Sequence, residues 1–270
     1  MSASRLCKSI SASLLALALT ACGQAGLPQR MATATTRSVT QQEPTTVAPY
    51  QRAPLPHGWT LVTYSAAIPY SNEPAFHSQP ELRVTAGCHS GERMVGAGYA
   101  ATDVFEYNAR ITSSYPIDDH MWTATGGTQA GLQLDVYCLR GDHLPPVVIV
   151  SGPSGGVACP AGSVALATGF GPPSGGGSAR AFYALCATSG AQAGSRATAP
   201  ITFNSNQNGY MPVSGAARCP AGQIAFGGGV TGVDVASYFA SGATADFAGW
   251  AVAGGGGGSG VVYASCVRLL

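Results

Sequence analysis

Gly152-Pro153-Ser154-Gly155-Gly156 has the Gly-x-Ser-x-Gly spacing that sets a serine nucleophile on a sharp strand-to-helix turn. That chemistry needs a helix directly afterwards, then an acid and a histidine later in the chain. Here Val157, Ala158, Cys159 and Pro160 follow, and the last histidine is His143, so a glycine–serine turn is expected. Gly227-Gly228-Gly229-Val230-Thr231-Gly232 spells Gly-x-Gly-x-x-Gly, with Asp246 loosely placed to meet a ribose. No helical period follows it and the same glycines recur elsewhere in the chain, so no cofactor is expected. In Asp118-Asp119-His120, Asp118 and Asp119 could ligate calcium, or supply half of a carboxylate pair for glycoside hydrolysis. A polar turn after Tyr115-Pro116 is the favoured reading, with no catalytic residue and no metal ligand assigned. Tyr115, Trp122, Tyr238 and Trp250 are the candidate ligand-binding residues, since aromatic faces in loops can stack on sugar rings. The competing and favoured reading puts these aromatics in the core of small β units.

The elements that must position these residues come from an internal repeat. Cys88, Cys159 and Cys219 are each followed three residues later by Gly91, Gly162 and Gly222, and ten residues later by Gly98, Gly169 and Gly229. Eight residues on, the copies read Gly96, Ala167 and Gly227. Each copy closes on an aromatic strand and a second cysteine, as in Val136-Tyr137-Cys138, Phe182-Tyr183-Ala184-Leu185-Cys186 and Val262-Tyr263-Ala264-Ser265-Cys266. The outer copies share a middle piece, Ser113-Ser114-Tyr115-Pro116 with Trp122 in the first and Ser237-Tyr238-Phe239 with Trp250 in the third. The middle copy lacks it. Matched features in one order signal internal duplication.

Short period-two runs separated by Gly, Pro, Asn and Asp predict strands at Trp59–Tyr64, Glu81–Thr85, Asn108–Ser113 and Leu132–Tyr137. The continuous run Val147–Val150 suits a strand buried on both faces, and Pro200-Ile201-Thr202-Phe203 opens the third copy. Leu144-Pro145-Pro146 and Ser189–Ala199 read as linkers. The expected fold is all-β: unit 1 at 58–142, a shortened unit 2 at 143–188 and unit 3 at 189–270. The preferred packing is pseudo-threefold, as in a β-prism, because the short middle unit would struggle to fold alone. Small β-sandwiches in tandem are the alternative.

Ahead of the repeats, Arg5 and Lys8 precede the apolar stretch Ser11–Leu19, which ends Leu19-Thr20-Ala21-Cys22. This resembles the lipobox of bacterial lipoproteins. The resemblance implies a signal peptide at 1–21, cleavage before Cys22, lipidation of the Cys22 thiol and, with Gly23 rather than aspartate next, outer-membrane sorting in a Gram-negative cell. Residues 22–57, rich in Thr, Gln, Pro and Ala without apolar period, read as a flexible tether with a reach on the order of 30 Å.

Of eight cysteines, Cys7 leaves with the signal and Cys22 carries lipid. Six remain, and of the 15 pairings six allow the repeat selects Cys88–Cys138, Cys159–Cys186 and Cys219–Cys266. Such bonds persist in an exported, oxidising setting. No two cysteines have the short spacing of a zinc ribbon. The mature chain keeps no lysine and has 11 basic against 12 acidic residues. That disfavours nucleic acid as a partner and leaves acyl chains as the means of membrane contact.

The repeat, over about residues 59 to 267, is similar to one in uncharacterised secreted bacterial proteins, with their Cys-Pro-Ala-Gly opening, Gly-Gly-Gly turn, Ser-Tyr-Pro stretch and closing Tyr-Ala-x-Cys. Unit 1 departs from it at Cys88-His89-Ser90-Gly91. The expected function is that of a non-enzymatic, envelope-anchored lipoprotein with a structural or adhesive β head. A carbohydrate-binding module is the alternative, and a hydrolase using unit-1 carboxylates a distant third. The expected partners are the membrane, through the lipid, and a glycan or another envelope component.

Overall fold

A computed structural model describes residues 45–46, 55–72, 77, 81–102, 111–128, 130–153, 156–172, 181–203, 212–231, 234–257 and 260–270. The signal segment and Cys22 lie outside the described residues. The strand β1 (Thr45–Thr46) and a 3-10 turn at Pro56–Gly58 precede unit 1. Unit 1 holds β2 (Thr60–Ile68), β3 (Leu82–Gly87), β4 (Arg93–Thr102), β5 (Ile111–Pro116), β6 (Met121–Gly126) and β7 (Gly131–Arg140). Unit 2 holds β8 (Val147–Pro153), β9 (Val164–Gly171) and β10 (Ala181–Ala187). Unit 3 holds β11 (Ala191–Pro200), β12 (Thr202–Phe203), β13 (Pro212–Arg218), β14 (Ile224–Thr231), β15 (Asp234–Ala243), β16 (Gly249–Gly257) and β17 (Val261–Leu269). The fold is all-β, in antiparallel sheets.

In every unit the strand carrying the closing cysteine lies between the opening strand and the strand after the first cysteine, giving the triplets β2-β7-β4, β8-β10-β9 and β11-β17-β14. Units 1 and 3 add a second triplet each, β3-β6-β5 and β13-β16-β15. The sheets run across units. The order β1-β2-β7-β4-β15-β16-β13-β12 joins the first triplet of unit 1 to the second triplet of unit 3, and β3-β6-β5-β9-β10-β8 joins the second triplet of unit 1 to unit 2. The third sheet is β11-β17-β14 alone. Separate tandem sandwiches therefore do not describe the molecule.

The two joints are made by equivalent residues, with Ser241 and not Ser237 holding the place of Ser114 in the hairpin. Ser241 of β15 pairs with Tyr99 of β4, and Ser114 of β5 pairs with Phe170 of β9. Tyr99 and Phe170 both stand eleven residues after their opening cysteine. The glycine before each makes room for the neighbouring strand. A Cβ on Gly98 would lie 2.7 Å from Gly242 Cα, and one on Gly169 would lie 2.5 Å from the Ser114 carbonyl oxygen.

The other repeated glycines have equally local causes. Gly91, Gly162 and Gly222 hold φ of 84°, 82° and 78°. Each is the third residue of a turn closed by Glu92 N–H to His89 O, Ser163 N–H to Pro160 O, or Gln223 N–H to Pro220 O. Only glycine takes that conformation without strain. Each strand after the turn then bulges at one residue, shifting register around Val95, Leu166 and Phe226. These three side chains are fully buried in the common core.

Three expectations change. Ser189–Ala199 is largely strand β11 rather than linker; its residues alternate poorly because it is an exposed sheet edge. The tether yields to ordered chain before residue 57: Leu55 is in the core and Thr45 and Thr46 pair with Ser65 and Tyr64. Val147–Val150 is not buried on both faces, since Val148 is 38% exposed.

Candidate functional site

Disulfides join Cys88 to Cys138, Cys159 to Cys186 and Cys219 to Cys266, one within each unit, with Cα–Cα distances of 5.6 to 5.7 Å. Each links the residue ahead of the turn into β4, β9 or β14 to the central strand of its unit's first triplet, β7, β10 or β17.

The two tryptophans are core residues. Trp122 is 1% and Trp250 3% exposed. Their indole N–H groups donate to Ser114 Oγ at 2.8 Å and Ser241 Oγ at 2.9 Å, across the hairpin that carries each pair. A buried indole needs such an acceptor, and these serines belong to the very strands that make the inter-unit joints. This burial overturns the reading of Trp122 and Trp250 as sugar platforms. Tyr115 is half-buried and stacks on Tyr183 of unit 2 with centroids 5.1 Å apart and planes at 23°. Tyr238 lies in β15, and its side chain is outside the described residues.

Asp118 and Asp119 are committed to structure. Asp118 Oδ1 accepts the N–H groups of His120 and Met121, closing the turn between β5 and β6. Asp119 pairs with Arg93 at 2.8 Å. Gly227, Gly228 and Gly229 lie inside β14, paired to β17, and not at the head of a helix. Gly152 and Pro153 end β8, while Ser154 is outside the described residues.

A buried polar cluster escaped the sequence reading. Glu92, buried beside the Cys88–Cys138 bridge, accepts Tyr64 Oη–H at 2.8 Å and Arg140 Nε–H at 2.8 Å on Oε1, and His89 N–H at 3.0 Å on Oε2. Arg140 also donates to Tyr64 Oη at 3.0 Å. Burial, and then the Glu92 carboxylate, raises the ionisation point of Tyr64; the same carboxylate raises that of Arg140. Glu92 thus has donors on both oxygens, and the thiolates a metal would need beside it are taken up in the disulfide. Its counterparts in units 2 and 3 are Ser163 and Gln223. That difference, four residues after the opening cysteine, is the one signal the sequence offered.

The place where the molecule is least complete is where unit 2 lacks its second triplet. In unit 1, Val62, opposite Cys138, and Leu134, four residues before it, are buried. Val148, opposite Cys186, and Phe182, four residues before it, hold the same positions in unit 2 and are each 38% exposed. Thr168, also exposed, is the counterpart of Gly228, which lies directly under the Trp250 ring. Beside this floor runs β14, whose other edge has no paired strand among the described residues. The atoms nearest a Cβ on Gly229 all belong to Tyr263 of its own unit, whereas its counterparts Gly98 and Gly169 face a neighbour's strand.

No protein-family model matches this chain and no curated protein is similar to it.

Proposed function

We propose that the protein is a lipid-anchored envelope protein whose β head acts by structure or adhesion and not by turnover. The observation that carries the extracytoplasmic reading is the set of three disulfides, one per unit, which persist in an oxidising compartment. Among the described residues no helix is long and apolar enough to cross a membrane. Attachment through Cys22 would supply the membrane contact, and two or more acyl chains make such contact stable. The non-enzymatic reading draws support from how the candidate groups are used: Asp118 and Asp119 serve a turn and an ion pair, and Glu92 serves a closed hydrogen-bond cluster. The partner would then be an envelope component met by the surface of the head, and not a glycan held on the tryptophans.

Fractionation of cells expressing the full chain tests the anchor. Wild type is expected in the membrane fraction with incorporated labelled fatty acid, and Cys22→Ala in the soluble exported fraction without label. Equal membrane retention of both forms removes the lipid anchor from the reading.

A further inference from the structure

We propose that the protein has a seat for a β-hairpin of a partner protein, formed by the free edge of β14 and the uncovered face of β8-β10-β9. This deepens the adhesion reading by naming the contact, and rests on that reading only for the compartment in which the partner is met.

The molecule builds the same seat twice and fills it both times from its own chain. The second triplet of unit 1 covers the first triplet of unit 1 and pairs with β9 of unit 2; that of unit 3 covers unit 3 and pairs with β4 of unit 1. By the same rule a second triplet of unit 2 would cover β8-β10-β9 and pair with β14. Unit 2 passes from β9 to β10 without one among its described residues. Both halves of the resulting site are visible: Val148, Phe182 and Thr168 on the floor, and Val230, the counterpart of Tyr99 and Phe170, on the edge. Strands β9 and β14 lie against each other, so one hairpin can reach both.

The filled seats state what the occupant must look like. Each takes an antiparallel hairpin with serine on the pairing strand and, eight or nine residues later, a tryptophan that donates to that serine and lies on the floor. The open seat has an uncharged floor and an edge that no strand pairs with among the described residues, the features used when a sheet edge captures an extended segment. A second copy paired edge to edge through β14 would satisfy the edge and leave Val148 and Phe182 bare. A hairpin satisfies both, which is why it is the assigned occupant.

The probe is a synthetic peptide of residues 111–126 carrying Ile111→Cys and Gly126→Cys. These positions face each other in the β5–β6 ladder, so the disulfide preforms the hairpin. The oxidised full chain in detergent is expected to bind it saturably, as read by fluorescence anisotropy. Val148→Asp and Phe182→Asp alter exposed side chains, so unchanged melting will show them folded. Each is expected to weaken binding by about 30-fold or more, as is Trp122→Ala in the peptide. Absent saturable binding, or binding indifferent to all three changes, overturns the proposal. So does a dimer of the protein in sedimentation that Phe182→Asp dissociates, because a second copy is then the occupant. None of these readouts depends on Cys22.

Discussion

Tyr137 of unit 1 accepts the backbone N–H of Ala243 of unit 3 on its phenol oxygen at 2.9 Å. The ring spans the β4–β15 joint, edge-on to Phe247 at 5.0 Å and to Trp250 at 6.5 Å. Burial pushes the Tyr137 hydroxyl far above the ordinary tyrosine range, so it stays protonated in the fold. Tyr137→Phe keeps the packing and leaves the Ala243 N–H without its acceptor. A loss of about 1–2 kcal/mol is expected in denaturant unfolding. An unchanged midpoint would mean that the joint does not need this bond.

Trp122 and Trp250 each fill core volume and bridge their own hairpin through serine. Trp122→Ala or Trp250→Ala is expected to cost about 3–5 kcal/mol, visible as a large fall in Tm. Ser114→Ala and Ser241→Ala leave an indole N–H unpaired, for about 1–3 kcal/mol. Tryptophans acting as exposed ligand platforms would leave Tm nearly untouched when truncated.

Much of this architecture was legible in the chain. The cysteine frame gave the pairing, and the middle piece that unit 2 lacks belongs to the second triplet of the other units; the glycine three residues after each opening cysteine recurred in the chain, but its left-handed turn is read only from the fold. Nothing local says that Ile111–Pro116, paired on one side with β6 of its own unit, pairs on the other with β9 of unit 2, because strand partnership is set by the packing of whole triplets. Ser189–Ala199 hid as a linker because an exposed edge strand needs no apolar alternation. Glu92 does not stand out in the chain because its partners, Tyr64 and Arg140, lie 28 and 48 residues away and meet it only in the fold.

Glu92→Gln is a severe change despite its shape. Tyr64, Arg140 and His89 all present donors to the two carboxylate oxygens. An amide offers one oxygen and turns its own N–H₂ toward a donor. The unmet groups are expected to cost about 1–3 kcal/mol. Thermal unfolding of Glu92→Gln beside Arg140→Ala checks this, with Arg140→Ala at least as costly because it leaves the buried Glu92 carboxylate without its cation, whereas Glu92→Gln leaves a half-exposed Arg140 that water can solvate.

Asp246 gives unit 3 a pH-dependent contribution to stability. Hydrogen bonds from Thr244 Oγ1 and the Ala248 N–H, and then Arg218 at 2.9 Å, hold its carboxyl below the ordinary range. A depressed folded value stabilises the protein above the ordinary carboxylate value and is lost as pH falls toward the folded one. Asp246→Asn should therefore be less stable than wild type near pH 7, by about 1 kcal/mol given the exposed setting. The gap should shrink below about pH 4. A gap that stays constant across a melting series from pH 7 to pH 2 would mean the carboxylate charge contributes nothing.

The bulges bring the units close together, and they predict an asymmetry between two small residues. A Cβ on Gly96 would collide with the Phe226 carbonyl oxygen, and one on Gly227 would lie 2.8 Å from the Leu166 oxygen and from Ala167 Cα. Backbone atoms in a stapled core cannot step aside cheaply. Unit 2 carries Ala167 at the same position, so that corner already accommodates a methyl. Gly96→Ala and Gly227→Ala are each expected to cost about 1–3 kcal/mol through forced backbone shifts. Ala167→Gly should cost about 1 kcal/mol or less, from chain entropy and one lost methyl. Denaturant midpoints of the three variants decide it, and equal losses would mean the three bulges do not converge as closely as these contacts require.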